Sequence, residues 1–270
     1  MTFTEIDYSV SNHVATITLN RPEQLNAWTT TMGFEVRQAM RFASDDISAR
    51  VIVLTGAGRG FCAGVDMKRL SNISNAGQLD DSEKGPFDPN WRKDFQRKNT
   101  YFPAVPKPII AAVNGPCAGL GLCLALFCDM RFASEEASFT TAFARRGLIA
   151  EHGISWTLPR LVGQSAATDL LLSGRKFMAP EAHRLGMVDR LYPARELMSS
   201  TLSYAKELSE LSSPRSLKII KRQLWETSMQ TLDEAMETAD AEMVLSLKSE
   251  DFKEGVKHFV EKRPPAFTGR

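Results

Sequence analysis

The sequence predicts an α/β fold on a parallel sheet, finished by a helical C-terminal region. Three observations carry this. Strand-like residues 13–19 and 51–55 flank a helical stretch from about Thr29 to Ala43, and such a crossover forces parallel pairing. Two apolar strands, Val51–Thr55 and Ile109–Val113, each run straight into a glycine-rich turn. Past about residue 195 the pattern is helical only, with breaks near Ser213-Pro214 and Glu250.

In chain order, residues 3–9 and 13–19 alternate as paired strands joined by a turn at Ser11-Asn12. Residues 20–27 form a loop, followed by the helix and strand already named. Residues 71–100 stand apart. Ser71 to Asn90 is rich in Ser, Asn, Asp and Gly, and Trp91 to Tyr101 is basic and amphipathic. A long polar segment inside a compact domain reads as a lid or insertion. Pro103, Pro106 and Pro108 then give a rigid approach to strand 109–113. The helix opened by Gly119 runs to about Phe127 and is apolar all round, which predicts burial. Extended segments follow at 128–132 and 137–140, then helices at 153–161 and 165–172.

The chain has 270 residues, 43% of them hydrophobic, enough for one large domain or one domain with a small appendage. A net charge of +1 gives no global pull toward nucleic acid or an anionic membrane. No apolar run is long enough to span a bilayer, and the acidic start Met1–Asp7 lacks a signal-peptide core, so a cytoplasmic protein is expected. Cys62, Cys117, Cys123 and Cys128 lack the C-x-x-C spacing and neighbouring histidines of a metal site. They read as buried thiols, and no metal is expected.

The two turns are Gly56-Ala57-Gly58-Arg59-Gly60-Phe61-Cys62-Ala63-Gly64-Val65-Asp66 and Asn114-Gly115-Pro116-Cys117-Ala118-Gly119-Leu120-Gly121. Turns of this composition leave backbone N–H groups free and let a ligand approach the main chain. Leu120 stands in the first turn of a helix, where unpaired N–H groups and the dipole both favour an anion. The run Gly56-Ala57-Gly58-Arg59-Gly60 after a strand is not a dinucleotide fingerprint. It spaces its glycines as G-x-G-x-G, and Phe61-Cys62-Ala63-Gly64 does not open a helix.

In order and spacing, these segments resemble the crotonase (enoyl-CoA hydratase/isomerase) superfamily. The resemblance rests on Asn20-Arg21-Pro22 with Leu25-Asn26-Ala27, and on Phe61 through Lys68. It continues in Lys107 through Gly115, Cys128-Asp129, Leu158 through Gly163, and Phe259 through Arg263. It implies a superhelix of β-β-α units with a C-terminal helical trimerisation region, here a core at 1–195 and helices at 196–270. It further implies a homotrimer or dimer of trimers. The substrate would be an acyl-CoA, with no cofactor beyond the coenzyme A moiety. By the same resemblance, the N–H groups of Val65 and Leu120 form an oxyanion hole for the thioester oxygen. Leu120 stands where many members carry glycine. Coenzyme A would lie near Leu25, Ala27, Ala63, Asp66 and Lys68, with Phe259 and Lys262 reaching the nucleotide, often from a neighbouring subunit.

Hydratases of the family use two glutamates; here Cys123 and Phe143 occupy those positions. A thiol is a poor carboxylate substitute, and a phenyl ring transfers no proton. Cys123 and Phe143 are therefore expected to line the pocket. Glu151 precedes the helix that starts near Gly153, where isomerases of the family carry their single acid/base, and His152 beside it lines the pocket. The expected reaction is Δ3–Δ2 isomerisation of an enoyl-CoA. The alternatives are a hydratase or thioester hydrolase with non-standard residues, and an acyl-CoA-binding protein without catalysis.

Overall fold

The computed structural model describes residues 2–76 and 87–270. Strands β1 (Ile6–Ser11) and β2 (Val14–Leu19) form a hairpin whose turn residues, Asn12 and His13, both have positive φ. The turn lies one residue later than the sequence suggests. Helix α1 (Thr30–Asp45) is capped by the Thr29 hydroxyl, which accepts the Met32 N–H at 2.9 Å. It returns the chain to β3 (Val51–Gly56), which pairs in parallel with β2. Helix α2 (Met67–Ala76) follows. Residues 77–86 of the predicted insertion lie outside the described residues.

Next come β4 (Ile109–Val113), the two-residue β5 (Cys117–Ala118) and α3 (Leu120–Phe127). Strands β6 (Met130–Ser134) and β7 (Ser138–Thr140) lead to α4 (Ile154–Ser173). Gly163, at φ 77°, breaks that helix internally, which accounts for the two helical segments expected from sequence. The short β8 (Phe177–Met178), α5 (Ala179–Arg184) and β9 (Arg190–Tyr192) complete the core. Helices α6 (Leu197–Leu211), α7 (Pro214–Glu226), α8 (Leu232–Leu247) and α9 (Glu250–Glu261) end the chain. The two expected breaks are helix starts, where Ser213 caps α7 and Ser249 caps α9.

The large sheet has the order β1-β2-β3-β4-β6-β9 and is parallel from β2 onward; a second sheet runs β5-β7-β8. β3 and β4 are buried along their whole length because both faces are covered. On one face Val51, Val53, Ile110 and Ala112 pack with Phe132 against Leu197 and Ala205 of α6. On the other, Ile52, Leu54, Ile109 and Ala111 join α1 and α3 in the main core. Period-2 alternation thus divides one apolar strand between two cores.

Every residue of α3 is buried, as its uniformly apolar sequence requires. Gly121 makes its close approach possible. A Cβ there would lie 2.4 Å from the Cys62 carbonyl oxygen, so only glycine lets α3 press against the strand-like residues before Gly64. Among the described residues, no helix is long and apolar enough to cross a membrane.

Candidate active site

The loop Asn20–Ala27 and the first glycine-rich turn are held together by buried polar side chains. Asn26, at φ 56° and fully buried, accepts the Arg21 N–H at 2.9 Å. Its amide donates to the carbonyls of Ala57 (3.0 Å) and Gly60 (2.7 Å). From the other side, the Asn114 amide donates to the carbonyls of Gly56 and Gly58, both at 2.9 Å. These two asparagines replace the ladder that the turn gives up.

Trp28 then fixes the far end of that turn. Its N–H donates to Gly64 O at 2.7 Å, and its carbonyl accepts from Asp66 N at 3.0 Å. Residues 64 and 66 face Trp28, so the N–H of Val65 between them points the other way. Leu120 is the first residue of α3, entered through Gly119 at φ 50°. Neither the Val65 nor the Leu120 N–H donates to a protein acceptor among the described residues. The two turns meet, because a Cβ built on Gly64 would lie 2.9 Å from Ala118 O and 3.7 Å from Leu120 N. The Leu120 side chain is buried in the main core and leaves its N–H unobstructed from that direction.

Cys123 and Glu151 lie against the same turn of α3. The Cys123 thiol is 3.9 Å from the Glu151 carbonyl oxygen. Burial, reinforced by the Glu151 charge, pushes that thiol far above its ordinary pKa. Burial likewise pushes Cys62 up to about 12 against a hydrogen bond from the Gly64 backbone, and burial, with the Asp129 charge second, does the same for Cys128, so these thiols stay protonated at neutral pH. A Cys123→Ser variant is accordingly expected to keep kcat/KM within about threefold, read by steady-state kinetics; a hundredfold loss would make the thiol a participant.

The Glu151 side chain is 31% exposed, and partial burial raises its pKa above the ordinary carboxylate value. His152 Nε2 lies 3.6 Å from Glu151 Oε2, too long for a hydrogen bond. Burial, with the Arg69 charge second, lowers the His152 pKa. Both shifts favour the neutral forms of the two groups. His152 itself sits at φ 53°, with Nδ1 3.1 Å from the Asn99 amide nitrogen. Phe143 is buried, 6% exposed.

Five of the residues expected around coenzyme A form one cluster. Ala63 N donates to Leu25 O at 3.0 Å, and Arg21 donates to Ala27 O (2.6 Å) and Asp66 (3.1 Å). Burial works to raise the Asp66 pKa, but the Arg21 hydrogen bond, the Lys68 and Arg69 amides and the Arg21 charge outweigh it and lower it. Lys68 is exposed beside it. Phe259 and Lys262 do not join this cluster within one chain. Phe259 is 80% exposed and lines a separate cavity with Val256 and Phe267, and Lys262 is the left-handed cap of α9.

Sequence reading did not identify Arg21, Asn26, Asn114, Arg69 or Asn99 as parts of this site. Arg21, Asn26 and Asn114 stand inside the motifs given above, which was the available signal. The others act through contacts between residues far apart in the chain.

Comparison with known proteins bears on this geometry. Residues 9–270 match the model of the enoyl-CoA hydratase/isomerase family. The chain is 35% identical over 268 residues to the 1,2-epoxyphenylacetyl-CoA isomerase of Escherichia coli (strain K12), covering 97% of both. It is 36% identical over 258 residues to a probable enoyl-CoA hydratase of Mycobacterium bovis, covering 94% of this chain and 89% of the other. A solved enoyl-CoA hydratase/isomerase from Mycobacterium paratuberculosis superposes with a TM-score of 0.88 at 30% identity over 100% of both chains. The free N–H groups, the paired turns and this likeness over the whole length agree: the chain belongs to the enoyl-CoA hydratase/isomerase, or crotonase, family and has its fold.

Proposed function

We propose that this protein is a Δ3–Δ2-enoyl-CoA isomerase in which Glu151 is the single acid/base. The observation that carries the reading is the placement of Glu151. Its backbone carbonyl lies 3.9 Å from the Cys123 thiol, three residues past Leu120 in α3, and its partly buried carboxylate has a raised pKa; Cys123 and Phe143 stand at the positions where hydratases of the family carry glutamates. Glu151 removes a proton from C2 of a 3-enoyl-CoA. The dienolate oxygen takes hydrogen bonds from the Val65 and Leu120 N–H groups. The same carboxyl returns the proton at C4, and the double bond moves from C3–C4 to C2–C3. Two N–H donors facing a low-dielectric wall need no reorganisation as the charge develops. At the two positions where hydratases of the family carry glutamates, Cys123 and Phe143 offer water addition no carboxylate.

Coenzyme A lies along Leu25, Ala27, Ala63, Asp66 and Lys68. Phe259 and Lys262 reach the nucleotide from a neighbouring subunit of a trimer or dimer of trimers. The apolar side chains that α8 and α9 leave open, among them Met236, Met243, Val244, Phe252 and Val256, support such an assembly.

The working form of Glu151 at the start of the cycle is ionised. Because its pKa is raised, kcat/KM for a 3-enoyl-CoA falls as pH drops through a value above that of a free glutamate. A pH–rate profile checks this; an acid limb at or below the free glutamate value contradicts it.

A further inference from the structure

Glu151 carries the proposed proton transfer, yet among the described residues no N–H or O–H donates a hydrogen bond to its carboxylate. An acid/base works best when its reacting oxygen is held in line with the substrate. The side chain poised to hold it is His152, whose Nε2 stands 3.6 Å from Glu151 Oε2.

Two features place the ring there. Residues 151–154 form a tight turn, closed by the Ile154 N–H donating to Glu151 O at 3.1 Å. Its two central residues, His152 and Gly153, are both left-handed, at φ 53° and 75°. Glycine adopts that conformation freely, whereas a side chain persists in it where the surroundings hold it. Asn99 is one such hold, with its amide nitrogen 3.1 Å from His152 Nδ1. An amide nitrogen only donates, so Nδ1 is the acceptor. A neutral imidazole carries a single ring proton, which then sits on Nε2, the nitrogen beside Glu151. Burial, with the Arg69 charge second, favours that neutral ring.

We propose that His152 is a positioning residue for Glu151: Asn99 fixes its tautomer, and its Nε2–H donates to Oε2 of the ionised carboxylate, leaving Oε1 to take and return the substrate proton. This rests on the acid/base reading above and supplies the group that orients it. Ionisation of Glu151 closes the 3.6 Å gap, because hydrogen bonds to a charged acceptor are short and strong. Catalytic contacts of this kind are commonly long before substrate binds.

The test titrates Glu151 itself, without substrate. Difference infrared spectroscopy follows its carboxyl band through pH in the wild type, His152→Gln, His152→Leu and His152→Ala, and the band absent from Glu151→Gln identifies it. Among the described residues, the charged groups around the ring besides Glu151 are Arg69 of α2 and the cavity-lining Asp94, Arg97 and Lys98, all unchanged in these variants. Losing a donor to the charged form raises a carboxyl pKa. The midpoint is therefore expected to rise by about one pH unit in His152→Leu, which keeps the bulk of the ring, and in His152→Ala, which does not. In His152→Gln, whose amide can donate from nearly the same place, it should return to within a few tenths of the wild type. With a 3-enoyl-CoA, His152→Leu should lower kcat about thirtyfold with KM within about threefold, and His152→Gln should restore most of it. A midpoint unchanged or lowered in both His152→Leu and His152→Ala, as when the ring only shields the carboxyl, overturns the proposal. A midpoint as high in His152→Gln as in His152→Leu also overturns it. Full isomerisation by Glu151→Gln would instead remove the acid/base reading, while the titration still decides whether His152 donates to Glu151.

Discussion

Replacing Glu151 by Gln is expected to lower kcat for 3-enoyl-CoA isomerisation by about a thousandfold, within the range typical of a lost general acid–base. KM should stay within about threefold, since the amide keeps the shape of the carboxyl and coenzyme A is held elsewhere. The loss should not come from unfolding. The folded-state pKa of Glu151 is raised by burial, so the native protein holds this proton at pH values where the unfolded chain has released it. Stability is therefore lost as pH rises from the free glutamate value through the folded one. At neutral pH the ionised carboxylate is a burden on the fold, and Gln removes it. Thermal unfolding at neutral pH should accordingly show Glu151→Gln at least as stable as the wild type. An inactive but destabilised variant would point to a structural role instead.

The second large effect concerns the joint between the helical region and the core. Lys221 of α7 is buried, with Nζ 2.8 Å from Asp129 Oδ2. It also donates to the carbonyls of Phe102 (3.1 Å) and Lys107 (2.9 Å). Asp129 accepts the Ile109 N–H at 2.7 Å and the Trp225 indole N–H at 2.8 Å. One ion pair thus ties α7 to the start of β4 and to the link before β6. Burial lowers the Lys221 pKa, and the Asp129 charge works against that. Lys221→Met leaves the carboxylate without its cation and two carbonyls without a donor. Removing one partner of such a pair costs about 3–5 kcal/mol. Urea unfolding checks this through the midpoint, and a loss below about 1 kcal/mol would contradict it. Adding Asp129→Asn should recover part of the loss, because the two groups are coupled.

What was legible in the sequence follows the range of the forces involved. β3, β4 and α3 could be read because each is nearly all apolar, and burial on every side leaves a continuous run. The cap residues Thr29, Ser213 and Ser249 act on N–H groups three residues away, so they too are local. The two-residue strands β5 and β8 have no readable period. Helix α2 was missed because Met67–Ala76 is largely polar and runs into the segment read as an insertion. In the stretch before β4, Phe95, Tyr101 and Phe102 belong to the main core, and Phe95 also lines a cavity with His152 and Trp156. Sequence alone did not decide between core and pocket there, since both require the same residues.

The site divides in the same way. Glu151, Val65 and Leu120 were singled out from motifs. The bonds of Asn26 to Gly60 and of Asn114 to Gly58 span 34 and 56 residues, and no local pattern announces them.

The most direct test of the account is product analysis with the unmodified protein, given a 3-enoyl-CoA and, separately, a 2-enoyl-CoA. The account predicts that the 3-enoyl-CoA becomes the conjugated 2-enoyl-CoA and that little 3-hydroxyacyl-CoA forms from either. Rapid hydration of the 2-enoyl-CoA, or release of free coenzyme A without isomerisation, would contradict it.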